Sequence, residues 1–102
     1  TYGLPVFALF SIPNGAYLAS GYMGAAMLKK AGMRPGAPDL MLAAPSITKH
    51  YHGLFIEMKR EQGGRQSPEQ EQFREYLNKA GYLAIVAHGA AEATAAIKAY
   101  LA

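Results

Sequence analysis

The sequence predicts a single α/β domain, a mixed sheet flanked by helices, in the order β-α-β-β-α-β-α. Three observations carry that expectation. Apolar runs of strand length recur, as at Val6–Ile12 and Tyr82–Ala87. Segments with apolar residues at helical spacing lie between them. Clusters of proline and glycine punctuate the two kinds of segment. At 102 residues the chain suffices for one modest core. With 51% hydrophobic and 17% charged residues it falls outside the regime of disordered chains.

Taken in order, Val6–Ile12 reads as a buried strand closed by Pro13-Asn14-Gly15. From about Tyr17 to Ala31, Tyr22, Met23, Ala26 and Met27 make a helical face weakened by Gly21 and Gly24. Gly32 suits the helix end, and Arg34-Pro35-Gly36-Ala37-Pro38 forms a rigid turn. Asp39–Ala43 and Gly53–Lys59 are strand candidates joined by a polar connection, which predicts antiparallel neighbours. Ser67-Pro68-Glu69-Gln70 carries an N-cap, a proline at the first helical position and a capping-box glutamine. That helix runs to about Ala80 with Phe73, Tyr76, Leu77 and Ala80 inward, and Gly81 ends it. Tyr82–Ala87 is a further buried strand. Ala90–Leu101, with Ala93, Ile97, Tyr100 and Leu101 at helical spacing, closes the fold.

The chain has no cysteine, which removes disulfides, thiolate metal sites and cysteine nucleophiles, so any metal is held by oxygen or nitrogen. Its apolar runs are far shorter than the roughly 20 residues that span a bilayer, and no signal peptide is visible, so a cytoplasmic protein is expected. The net charge of +3 and pI near 9.3 favour a polyanionic partner. Up to Phe55 the basic residues are Lys29, Lys30, Arg34 and Lys49, and the one acid, Asp39, is also the only aspartate in the chain.

Chemistry concentrates on Gly53-Leu54-Phe55-Ile56-Glu57-Met58-Lys59. In a strand, alternation places Glu57 and Lys59 on one face and Ile56 and Met58 on the other. Asp39, at the start of the neighbouring strand, brings a second carboxylate to the same end of the sheet. One carboxylate from each strand, the Met58 carbonyl and a substrate phosphate would hold Mg²⁺, or Mn²⁺ in its place. Such a metal activates water and neutralises phosphoryl oxygens, while Lys59 positions the water or stabilises pentacovalent charge, which is phosphodiester hydrolysis. An ordinary ion pair would also satisfy the Glu-x-Lys spacing. The argument against it is that ionisable groups in an otherwise apolar strand are costly to bury unless paired or bound to metal.

Gln70 lies one turn into its helix, where its amide either completes the capping box or reaches the sheet end to hold a metal-bound water or phosphate. Lys29, Lys30, Arg34, Arg60 and Arg65 are candidate phosphate contacts, with Gly63-Gly64 allowing close approach of backbone to nucleic acid. For each of these a plain solvated surface or turn is the alternative. His50 and His52, without a nearby third ligand, read as exposed histidines rather than a zinc site.

Gly36-Ala37-Pro38-Asp39-Leu40, the Gly53–Lys59 strand, Ser67-Pro68-Glu69-Gln70 and Gly81-Tyr82 together resemble the VRR-NUC family, virus-type replication-repair nucleases of the PD-(D/E)xK superfamily. Ile12-Pro13-Asn14-Gly15 resembles that family's first-strand motif. The resemblance implies a restriction-endonuclease-like fold and DNA as substrate. It implies Mg²⁺ or Mn²⁺ as cofactor, with Asp39 and Glu57 as metal carboxylates, Lys59 as catalytic lysine and Gln70 as the helix glutamine. Small stand-alone members resemble phage proteins related to Holliday-junction resolvases, acting as homodimers on branched DNA in the host cytoplasm. Larger relatives carry the domain within DNA repair nucleases. The family's usual acidic residue on a helix before the first strand is expected to lie upstream of Thr1. The alternative reading is a non-catalytic DNA-binding or scaffold module with a vestigial metal site, and divalent-metal binding separates the two.

Overall fold

The computed structural model of the protein describes residues 3–13, 32 and 34–102. Among these, strands β1 (Leu9–Ser11), β2 (Leu40–Leu42), β3 (Leu54–Lys59) and β4 (Leu83–His88) form one sheet in that spatial order, with helices α1 (Pro68–Lys79) and α2 (Ala90–Leu101). From Asp39 onward the predicted order of elements holds. The helix expected near 17–31 lies outside the described residues.

β1 pairs with β2 and β2 with β3 antiparallel, while β3 and β4 run parallel from Leu54–Leu83 to Lys59–His88. Parallel neighbours need a crossover, and α1 supplies it. The helix starts where its sequence says. Ser67 Oγ accepts from the Gln70 N–H at 3.1 Å, and Gln70 Oε1 accepts from the Ser67 N–H at 2.9 Å, a reciprocal cap ahead of Pro68. It stops at Gly81, whose φ of +100° suits glycine.

Period-2 alternation gives β3 two faces of different character. Leu54 and Ile56 are fully buried in the main apolar cluster with Leu42, Ala87, Ala93 and Tyr100, against which Leu83, Ile85, Ile97 and Leu101 pack. Burying each of the two β3 side chains is worth roughly 1.5–3 kcal/mol. The Tyr100 hydroxyl donates to the Ala44 carbonyl at 2.8 Å, tying α2 to the segment after β2. The opposite face carries Phe55, Glu57 and Lys59 beside Ala84 of β4, and α1 lies there. Leu77 is its buried anchor, and the Asn78 amide bonds the Ala84 backbone N–H and carbonyl at 2.9 and 3.3 Å.

Three details correct the sequence reading. Val6–Ile12 is not a buried strand: Val6–Ala8 is a 3-10 turn closed by Ala8 N–H to Pro5 O, and only Leu9–Ser11 is strand. Ala8 alone reaches the core, while Val6 and Phe7 are 93% and 76% exposed. The cause is the turn after Pro5, which breaks the strict alternation that would keep a strand's inner residues on the core. In α1, Tyr76 faces outward at 67% exposure, because it lies about 100° round the helix from Leu77. Ala80 is likewise exposed, as the C-cap beyond the packed turns. β4 has only β3 as a sheet neighbour among the described residues, so most of it is half-buried rather than buried.

Candidate active site

Glu57 and Lys59 project side by side from β3 toward the first turn of α1, with Lys59 Nζ 3.8 Å from Glu57 Oε2. Both are shielded, with side chains 9% and 11% exposed. Asp39 joins them through an irregularity in β2. Leu40 registers with Ile56, yet the Asp39 N–H also donates to the Ile56 carbonyl at 3.1 Å. Two residues of one strand thus face one of the other, the arrangement of a β-bulge, which re-aims a side chain at the end of a ladder. Pro38, buried and without an N–H, cannot extend the ladder further. The Asp39 carboxylate instead accepts the Met58 N–H at 2.7 Å. The Gly53 and Lys59 carbonyls accept from Leu83 and Gly89 on the β4 side, whereas the Ile56 carbonyl and Met58 N–H point to the β2 side. The Met58 carbonyl shares the latter direction, toward Asp39.

Gln70 completes the capping box, and the same amide reaches the two polar side chains of β3. Its Oε1 accepts from the Ser67 N–H and from Lys59 Nζ, the latter at 2.8 Å. The amide is thereby oriented with Nε2 toward β3, where it donates to Glu57 Oε2 at 2.7 Å. Lys59 Nζ also donates to the Arg65 carbonyl at 2.8 Å, so two of its three N–H bonds are fixed by the protein. Lys59, Gln70 and Glu57 form one chain of donors and acceptors.

The remaining Glu57 oxygen carries the electrostatic signature of the site. Oε1 is buried and, as a carboxylate oxygen, meets no donor. The Glu57 pKa is raised from 4.5 to about 7, chiefly by burial and next by the adjacent Asp39 charge, with Lys59 opposing both. When Glu57 does hold a proton, Asp39 is its hydrogen-bond partner. A carboxylate that resists ionising beside a second one, with one buried oxygen that meets no donor, is the kind of donor a hard cation satisfies. Among the described residues no group of three or more His, Cys, Asp or Glu gathers as a metal site. A cation here would rest on Asp39, Glu57, the Met58 carbonyl and water or phosphate, the sparse oxygen set that magnesium accepts.

Of the candidate phosphate contacts, Lys29 and Lys30 lie outside the described residues. Arg34, Arg60 and Arg65 are exposed, the last two flanking the loop between β3 and α1. His50 is an exposed turn residue at φ +61°, and His52 packs edge-on against Tyr82 at 5.6 Å. The sequence reading missed Gly36 as a structural partner of the site. At φ +87°, a Cβ there would fall 2.5 Å from the Glu69 carbonyl and 2.9 Å from the Gln70 nitrogen. The signal was present in Arg34-Pro35-Gly36-Ala37-Pro38, but a plain turn explains the same residues.

No helix among the described residues is long and apolar enough to cross a membrane. No curated protein matches the chain. A solved structure of a VRR_NUC domain protein is similar over 97% of this chain and 72% of its own, at 32% identity and a TM-score of 0.77. The fold is accordingly restriction-endonuclease-like, a mixed four-stranded sheet with helices on both faces. The profile of the VRR-NUC domain matches residues 14–91, which spans the β2–β3 pair, the capped helix and the Asp39, Glu57, Lys59 and Gln70 cluster, and the chain therefore belongs to the VRR-NUC family of nucleases.

Proposed function

We propose that the protein is a metal-dependent DNA endonuclease that hydrolyses phosphodiester bonds, with Asp39, Glu57, Lys59 and Gln70 as its active site. The observation that carries the reading is the buried Glu57 oxygen without a donor beside the Asp39 carboxylate, since burial of such a pair is costly without a cation. Mg²⁺ or Mn²⁺, when bound, supplies an acidified water and neutralises charge on the phosphoryl oxygens.

The chain's own residues do the rest. Asp39, just before β2, and Glu57 on β3 would hold the cation, and the Met58 N–H keeps the Asp39 carboxylate from rotating away. Gln70 fixes Glu57 Oε2, leaving Oε1 as its open ligand. Lys59, with two N–H bonds held by Gln70 and Arg65, directs its charge and remaining N–H at the nucleophilic water or the phosphoryl oxygens, where negative charge develops. Arg34, Arg60 and Arg65, with Lys29 and Lys30, contact flanking phosphates and carry no sequence preference. Branched DNA such as a four-way junction is the proposed substrate, and a homodimer the proposed working unit, so that two sites address two strands with matching symmetry.

A cleavage panel of four-way, flap, nicked and linear duplex DNA with Mn²⁺ tests this reading. Asp39→Asn, Glu57→Gln and Lys59→Ala should each abolish cleavage while DNA binding persists. Undiminished cleavage by any of the three would remove that residue from the site, and wild-type inactivity on the whole panel would leave a DNA-binding module instead.

A further inference from the structure

Three pieces of backbone meet at the site, and two of their mutual contacts run through β3. Asp39 is held by the Met58 N–H and Gln70 by Glu57, so the β2 entry and α1 are each tied to the same strand. The third contact joins those two directly. Gly36 lies against the backbone of Glu69 and Gln70 so closely that no L side chain fits: the nearest atoms to a Cβ would be backbone C and O at 2.5 Å. Backbone cannot swing aside as a flexible side chain would, so a methyl group here must push the turn and the helix apart. The connection from Gly36 to Asp39 is short and stiff, with the Ala37 N–H turned back to the Arg34 carbonyl and Pro38 buried.

We propose that Gly36 is a positioning residue, whose bare Cα sets how closely Gln70 and the first turn of α1 approach Glu57 and Asp39; the effect on catalysis rests on the nuclease reading. Gly36 touches no reacting atom and acts through Gln70. Displacing Gln70 by about an ångström would loosen Glu57 and Lys59 together, and misplacements of that size cost about 100-fold in rate.

Gly32 supplies the control. Its φ of +98° imposes the same backbone strain on alanine, but a Cβ there meets nothing within 4 Å among the described residues. Gly36→Ala should lower kcat for Mn²⁺-supported cleavage about 100-fold with KM little changed, while Gly32→Ala retains wild-type kcat. In a Gln70→Ala background, Gly36→Ala should add little, because the group it displaces is already gone. Nuclear magnetic resonance gives a readout independent of cleavage: the Gln70 side-chain amide signals, identified by their loss in Gln70→Ala, should move toward those of a free amide in Gly36→Ala and stay in place in Gly32→Ala. Gln70 signals unmoved in Gly36→Ala, or a rate loss fully additive with Gln70→Ala, would overturn the proposal. Should Gly36→Ala fail to fold, the wild-type protein decides, since nuclear Overhauser contacts from the Gly36 α-protons to the Gln70 amide proton are expected and their absence overturns the contact. If wild type cleaves no DNA, the nuclease reading fails while the amide signals still judge Gly36.

Discussion

β3 shows two regions of the molecule built from alternate residues of one strand. The α2 face, with Leu54, Ile56 and Tyr100, is fully buried and apolar, and the Tyr100 hydroxyl donates to the Ala44 carbonyl. The α1 face carries Glu57, Lys59 and Gln70, shielded less completely and held by charge-assisted hydrogen bonds, with one carboxylate oxygen left without a donor. One face holds the fold together; the other spends stability on a site. If that division is right, substitutions on the two faces should separate stability from activity, and the largest effect belongs to the α1 face. Asp39→Asn should cost at least about 1,000-fold in cleavage, equivalent to about 4 kcal/mol of barrier, with urea denaturation little changed. Ile56→Ala should do the reverse, losing roughly 3 kcal/mol of stability through lost burial and a cavity, while the residual folded protein cleaves normally. Parallel losses of stability and activity in both variants would break the comparison.

The acid–base behaviour of Glu57 sharpens the same contrast. Its carboxyl, near 4.5 when unfolded, titrates at about 7 in the folded protein because of burial and the Asp39 charge. The folded state therefore holds a proton that the unfolded chain releases, so the stabilisation is complete below pH 4.5 and disappears as the pH rises to 7. Metal-free protein should lose on the order of 3 kcal/mol between those limits from this group. Glu57→Gln should lose less and exceed wild type in stability above pH 7, and paired urea titrations at pH 5 and 7.5 check this. A wild type no less stable at the higher pH than Glu57→Gln would contradict it. The smallest effect expected is on the α2 face: Tyr100→Phe should cost about 1 kcal/mol, by leaving the Ala44 carbonyl without its donor.

How much of this was readable in advance follows from which signals are local. The alternation of Gly53–Lys59 is a property of the strand itself, so the placement of Glu57 and Lys59 opposite Ile56 was legible. The capped start at Ser67 was legible for the same reason. Asp39 was legible as a neighbour, but not the bulge that turns its carboxylate to the Met58 N–H, since bulges depend on pairing between strands. Gln70 looked like a choice between cap and site because a sequence shows one residue, not the two ends of its amide. Gly36 looked like a turn glycine because its close partner lies 33–34 residues further along the chain. Val6 and Phe7 misled, since apolar residues predict burial only when the local geometry delivers them to the core.

On the proposed reading, the polar face of β3 is a cation site made by the Glu57 and Asp39 carboxylates. Calorimetric titration of Mn²⁺ into wild type, Asp39→Asn and Glu57→Gln tests it without requiring the DNA substrate. A saturable site in wild type that both substitutions eliminate is the expected result, whereas equal binding by all three proteins, or none by wild type, would contradict a cation site there.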